Sequence, residues 1–257
     1  MKRKLLLVLV VMISMIGCTQ SKKSEDKKNI TKTEEKSKQK KNETVSKKEL
    51  IVIDAGHQQH QNSKLEPIAP NSKEKKPKVA SGTSGRWSKL NEYELTLQVA
   101  LKLEKKLKAK GYKVLMIRTT NDVDISNSER AKIANENKAD AFIRLHANGS
   151  TNSSSNGAMT ICQTSSNPYN AKYYKDSKYL SKVILDNYVK ETGIKKERIW
   201  ETDTMSGINW CQVPVTILEM GYMSNKKEDL KMADEKFQEK MVKGISKGID
   251  KFFNKKR

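Results

Sequence analysis

"LIVIDAGH", residues 50–57, decides the fold. Residues 50–53 are all aliphatic and run into Asp54, a small Ala55-Gly56 turn and then His57. An unbroken apolar run stopped by small residues reads as a strand buried on both faces of a helix-covered sheet. A half-exposed hairpin strand would alternate with polar residues. The polar end of the run raises a second question. The chain holds three histidines, and two of them, His57 and His60, follow directly.

Outward from this strand, residues 112–118, 141–145, 157–163 and 214–218 read as further strands. Helical patterns lie between them. Leu95, Val99, Leu103 and Leu107 recur at four-residue spacing, and Gly111 follows as a C-terminal cap. Residues 128–137 read as a shorter helix with Ala131 and Ala134 on its packing face, and residues 176–192 as another, closed by Gly193. Near the end Phe237, Met241, Ile245, Ile249 and Phe252 form a stripe wide enough to be core. The reading is a single α/β domain with a largely parallel or mixed sheet covered by helices. Residues 61–90 interrupt the first strand-to-helix connection and are rich in Pro, Ser, Gly and Lys. A structureless loop of that length is either functional or disordered. Its place beside His57 favours a loop facing substrate.

In open α/β sheets, ligands collect at the carboxyl ends of the strands. Three apolar runs end there in groups with chemistry: His57, His146 after "FIRL", and Glu219 after "VTIL". A single histidine after a strand is more often a structural hydrogen-bonding group. The repetition at one sheet edge, with a carboxylate, is what a zinc ion wants from a catalytic site. A third ligand should open the following helix, where Glu92 and Glu94 both stand. Each also suits capping or the helix dipole, so the residues alone leave the choice between them open.

Residues 1–18 start with Lys2, Arg3 and Lys4, continue as a short apolar run and end in Gly17-Cys18, the pattern of an export leader. In residues 19–49 the only aliphatics are Ile30 and Val45, too few to offset the entropy of ordering, so a disordered lysine-rich tether is expected. Residues 50–257 have the size of one catalytic domain. The net charge of +21 divides into +3 on the leader, +5 on the tether (eleven lysines against six acids) and +13 on the domain. Export argues against nucleic acid. The polyanions left are membrane head groups and anionic wall polymers, reached by a salt-sensitive long-range attraction, or the lysines simply solvate the surface. Cys162 and Cys211 form an even pair in an exported domain, compatible with a disulfide or with two buried thiols.

The blocks "IVIDAGH", "NEYELTLQVAL", "ERAKIANENKADAFIRLHANGS" and "VPVTILEMGYMSN" together resemble the zinc-dependent N-acetylmuramoyl-L-alanine amidases of type 3, over nearly the whole of residues 50–253. The resemblance implies Zn2+ held by His57, Glu92 and His146, with Glu92 preferred to Glu94 because the family's helix glutamate precedes an alanine, here Ala100, by eight residues. It makes Glu219 the catalytic carboxylate. It implies hydrolysis of the amide between N-acetylmuramic acid and L-alanine in peptidoglycan. Asn148 and Arg130 are secondary candidates for substrate contact, Arg130 against an ion-pair role, and Trp200 and Trp210 are candidates for stacking on sugars or for core packing. Where many relatives continue from the first histidine with a glycine-rich turn, this chain has "QQHQN" and the long insertion. His60 on that turn is read as solvent-facing rather than a ligand. "MIGC" is similar to the cleavage box of bacterial lipoproteins, implying lipidation of Cys18 and anchoring to the outer face of the cytoplasmic membrane, beneath the cell wall. The competing functions are a zinc peptidase of wall peptides and a non-catalytic wall-binding lipoprotein.

Overall fold

The run that opened the sequence forms strand β1 (Leu50–Ala55), its last five residues buried, in a computed structural model that describes residues 48–256. The leader, Cys18 and nearly all of the expected tether lie outside the described residues. Two strands, β2 (Asn62–Pro67) and β3 (Lys75–Val79), pair antiparallel as a separate hairpin. The remaining strands, β4 (Lys113–Met116), β5 (Ala141–Asn148), β6 (Ala158–Cys162), β7 (Lys196–Glu201) and β8 (Val215–Tyr222), join β1 in a six-stranded sheet of order β4-β1-β5-β8-β6-β7. Every neighbouring pair in it is parallel except β6 and β8, so the sheet is mixed but mostly parallel.

The alternation of side chains along a strand divides the core into two layers. Ile51, Ile53, Ile143, Leu145 and Leu218 face helices α1 (Glu92–Ala109), α3 (Tyr174–Thr192) and α6 (Glu235–Lys256). Val52, Phe142, Val215 and Ile217 face the other way, onto α2 (Asn127–Glu136) and the segment around the short α4 (Ser206–Asn209). A last short helix, α5 (Lys226–Ala233), follows β8 directly. On the first face α6 lies against α3 with backbones nearly touching: methyl groups at Gly244 and Gly248 would fall 2.7 Å from Tyr188 Cα and 2.6 Å from Ile184 Cα.

The strands read as continuous apolar runs are present, and two of them are longer than the sequence implied. β5 extends to Asn148 and β8 to Tyr222, so His146 and Glu219 sit on strands, opposite one another in register. β7 was not anticipated. Residues 61–90 are neither structureless nor disordered. Their first part is the β2-β3 hairpin, fixed to α2 by the Glu66 carboxylate, which accepts from Ser128 N at 3.1 Å and Ser128 Oγ at 2.6 Å, and by Asn127 Nδ2 donating to the Lys78 carbonyl at 2.9 Å. Of the two cysteine alternatives the structure has buried, unbridged thiols: Cys162 and Cys211 are both free, and burial pushes their pKa values up to about 11 and about 12. Among the described residues no helix is long and apolar enough to cross a membrane.

Candidate metal centre

β1 delivers His57 through a turn that only a glycine can make. A methyl group at Gly56 would sit 2.4 Å from His146 Cε1 and 2.6 Å from the Leu145 carbonyl, so the bare backbone is what lets β1 and β5 bring their histidines together. His57 itself has a φ of 58°, in the left-handed region. Such a backbone persists where its surroundings over-determine it, and here two buried arginines do so. Arg118 Nε donates to the Ala55 carbonyl at 2.8 Å and its Nη2 to Gly56 at 3.1 Å, while Arg130 Nη1 donates to Ala55 and Nη2 to His57, each at 3.1 Å. The counter-charge in this cluster is Asp54, whose two oxygens pair with Arg130 at 2.7 Å and Arg144 at 2.8 Å. Burial works against that carboxylate, yet the two guanidinium charges hold its pKa well below the usual range.

Three donor atoms converge at the sheet edge. His57 Nε2, His146 Nδ1 and Glu92 Oε1 lie 3.1 Å from one another on all three sides of a triangle. They form the metal-competent cluster found among the described residues. The edge of a tetrahedron whose centre is 2.0–2.1 Å from each corner is about 3.3 Å, so the triangle fits a zinc-sized ion with one corner left over. Two of the three are oriented by a second contact, as metal ligands generally are, while the far nitrogen of His146, Nε2, is buried without a hydrogen-bond partner. His57 Nδ1 is hydrogen-bonded to the Ala80 carbonyl at 2.8 Å, which makes it the protonated nitrogen and leaves the Nε2 lone pair facing the triangle. Glu92, the first residue of α1, accepts from Thr83 N on Oε2 at 2.9 Å and from Ala147 N on Oε1 at 3.0 Å. Burial opposes its charge, but the neighbouring imidazoles of His146 and His57 keep its pKa well below the ordinary value. Burial lowers the pKa of His146, favouring the neutral ring that a metal requires. Glu94, the alternative from sequence, accepts from Asn91 N at 2.8 Å and caps the helix instead.

Glu219 stands opposite His146 on β8 and behaves differently. Its Oε2 is buried without a protein partner, and burial, then the Glu92 charge, pushes its pKa up to about 8. Two cavities meet at this carboxyl and the two histidines. One, about 320 Å³, extends under β3 toward α4; the other, about 630 Å³, opens past Gly82 and Thr83 toward Asn148 and Ser150.

The other residues singled out from sequence fall into place around this centre. Asn148 lines the larger cavity. Arg130 is buried beneath the turn with 1% exposure and lines neither cavity, so it serves the ion pair weighed against substrate contact. Trp210 donates its Nε1 to the Pro67 carbonyl at 2.8 Å, and both Trp200 and Trp210 pack against the second core layer, away from both cavities. His60 is exposed and outside the cluster. Sequence reading passed over Ala80, Gly82 and Thr83, which act through their backbones and leave no mark in side-chain type. It also passed over Arg144, for which a signal existed: an arginine inside the buried run "FIRL" must have a partner.

The family model for N-acetylmuramoyl-L-alanine amidase matches residues 51–251. The germination-specific N-acetylmuramoyl-L-alanine amidase of Bacillus subtilis is 27% identical over 185 residues, covering 65% of this chain and 73% of that protein. Among solved structures, the catalytic domain of the amidase CwlV from Bacillus (Paenibacillus) polymyxa is 29% identical with a TM-score of 0.62, covering 80% of this chain and 98% of the other. The amidase Ami1 of Mycobacterium smegmatis has the same fold, with a TM-score of 0.74 at 24% identity over 80% of this chain and 97% of that one. A mostly parallel sheet that brings two histidines and a glutamate to one edge, in a chain matched by this model along most of its length, belongs to the N-acetylmuramoyl-L-alanine amidase family of peptidoglycan hydrolases.

Proposed function

We propose that the chain hydrolyses the amide joining N-acetylmuramic acid to the L-alanine of the stem peptide, with zinc held by His57, Glu92 and His146 and with Glu219 moving the proton. The observation that carries this reading is the 3.1 Å triangle of donor atoms beside a carboxyl oxygen, Glu219 Oε2, buried without a protein partner. Two imidazoles and one carboxylate are a donor set that zinc accepts readily, leaving a fourth position free. A cation there supplies a Lewis acid for the amide carbonyl and lowers the pKa of water from about 15.7 toward about 7.

The chain's own groups supply the rest. Glu219 is the one carboxyl at the site with no cation or histidine bonded to it, so it is free to take a proton from the attacking water. Its upward displacement, here to about 8, makes the carboxyl a stronger base toward that water and brings it near the range of the α-amino group of the departing alanine, the nitrogen to which the proton passes. The Ala80 carbonyl and the Thr83 and Ala147 amides hold the ligands still during the reaction. All four groups that a non-catalytic wall binder would be free to lose are retained.

The N-terminal pattern supports export, lipidation at Cys18 and a tether over residues 19–49 that presents residues 50–257 to the wall. Metabolic labelling with a fatty-acid analogue tests the anchor: Cys18→Ala should abolish incorporation and release the protein from the membrane.

The test of the activity is a digest of purified peptidoglycan with chelator, without it, and with zinc restored. New N-terminal alanine that vanishes with chelator and returns with zinc is the expected result. New amino groups on other residues would make the protein a peptidase, and none at all, with metal bound, would make it a binding protein.

A further inference from the structure

The two cavities that meet at Glu219 have walls of different chemistry. The larger carries no lysine or arginine; beyond the histidines and the two glutamates it is lined by small hydroxyl, amide and glycine residues such as Thr83, Asn148, Ser150 and Ser224. The smaller combines apolar side chains, among them Ile161, Met205 and Ile217, with two cations, Lys76 and Arg144, and its only acid is Glu219.

Neither cation is fully spent. Arg144 uses Nε on Asp54 at 2.8 Å and Nη2 on Asn127 Oδ1 at 2.8 Å, while Nη1 lies against Gly207 on the cavity wall. Asp54 is shared with Arg130, so one carboxylate answers two guanidinium charges and a unit of positive charge remains at the cavity floor. Lys76 reaches from the hairpin to the Thr204 carbonyl, Nζ to O at 2.8 Å. An ammonium has three donors, and this bond occupies one.

Resting on the amidase reading above, we infer that the substrate is divided at Glu219: the neutral, hydroxyl-bearing glycan lies in the larger cavity, and the acidic peptide leaves through the smaller, where Lys76 and Arg144 receive a peptide carboxylate. The arrangement suits the reaction, because the peptide begins at the nitrogen that Glu219 protonates and Glu219 borders the smaller cavity. A carboxylate entering that cavity meets two charges of opposite sign and exchanges its water for charged donors. The larger cavity offers it none and adds the repulsion of Glu92.

The experiment compares two soluble muramoyl peptides that differ only in the residue after L-alanine, one with a free carboxylate and one with that carboxylate as carboxamide. Steady-state kinetics are run with the zinc-loaded full-length wild type and with Lys76→Met and Lys76→Arg, metal content being measured in parallel. The wild type should favour the carboxylate by about tenfold in kcat/KM, chiefly through KM, the scale of one charged hydrogen bond. Lys76→Met should raise KM for the carboxylate substrate alone, and Lys76→Arg should restore it. Equal wild-type kcat/KM on both substrates, or a Lys76→Met effect of the same size on both, would overturn the division. Turnover of neither substrate by zinc-loaded wild type would instead overturn the amidase reading on which the inference rests.

Discussion

Two carboxyl groups border the reaction space, and their surroundings set them apart. Glu92 is held ionised by His57, His146 and two backbone amides, whereas Glu219 is half-buried, its Oε2 enclosed without a partner, and displaced upward to about 8. Glu219→Gln should therefore keep its metal and lose about 10²- to 10⁴-fold in kcat, measured on peptidoglycan alongside elemental analysis. The displacement also has a stability sign. A carboxyl whose folded pKa is raised favours folding below its unfolded value, about 4.3, and that contribution is lost as pH rises toward 8. Metal-free wild type should thus melt progressively below metal-free Glu219→Gln between pH 5 and pH 9, and a constant difference would contradict the assignment. Gly82, with a φ of 81°, lies where a methyl group would meet Glu92 Oε2 at 2.9 Å and His57 Cγ at 3.0 Å. Gly82→Ala should weaken metal binding by about 10- to 100-fold in a competition titration with a chromophoric chelator. His57 and His146 were legible in the sequence because each stands at or near the end of an apolar run, whereas Glu92 was separated from Glu94 only by the family resemblance. The backbone amides and carbonyls that orient them were not, since any residue type could supply them.

At the scale of elements, the strand ends are held by charge and the helices by close packing. Asp54 joins β1 to α2 and β5 through two arginines, and removing one partner from a buried pair costs about 3–5 kcal/mol. Asp54→Asn should lose about that much in chemical denaturation at neutral pH. The wild-type advantage comes from a depressed carboxyl pKa, so it is present above about pH 4 and should fade on acidification below it. On the other face, Gly248→Leu should force α6 off α3 and cost about 1–3 kcal/mol or more, with little effect on metal affinity. The apolar strands β1, β5 and β8 could be read directly, because burial on both faces leaves an unmistakable pattern. β7, with the sequence "KERIWE", lies at the sheet edge and half of it is exposed, so its strand character comes from pairing with β6 rather than from composition. The hairpin is similar: "NSKLEP" and "KKPKV" carry almost no strand signal, and their geometry comes from the contacts of Glu66 and Lys78 with α2 and of Pro67 with Trp210.

For the molecule as a whole, metal binding and folding are coupled because the ligands come from β1, α1 and β5, elements distant in the chain. An ion bound only by the folded state at about a thousand times its Kd adds about 4 kcal/mol. Exhaustive chelation should lower Tm by about 10 °C, read by circular dichroism. The largely parallel or mixed sheet and the placement of the site at the carboxyl ends of its strands followed from the sequence, since apolar runs and their polar ends are both patterned there, whereas the strand order did not. Which cavity takes which part of the substrate did not, because it depends on the hairpin folding over the sheet. That hairpin carries a constraint on how the protein can diversify. Lys76 near the start of β3, and Ala80 and Thr83 just beyond the strand, serve the peptide cavity and two ligands of the ion within eight residues of chain. An insertion or deletion between Lys76 and Thr83 would change selectivity and metal retention together. The turn at Asn71 to Glu74, just before β3, lines neither cavity, so variation in length among descendants of this chain should accumulate there while residues 76–83 stay fixed.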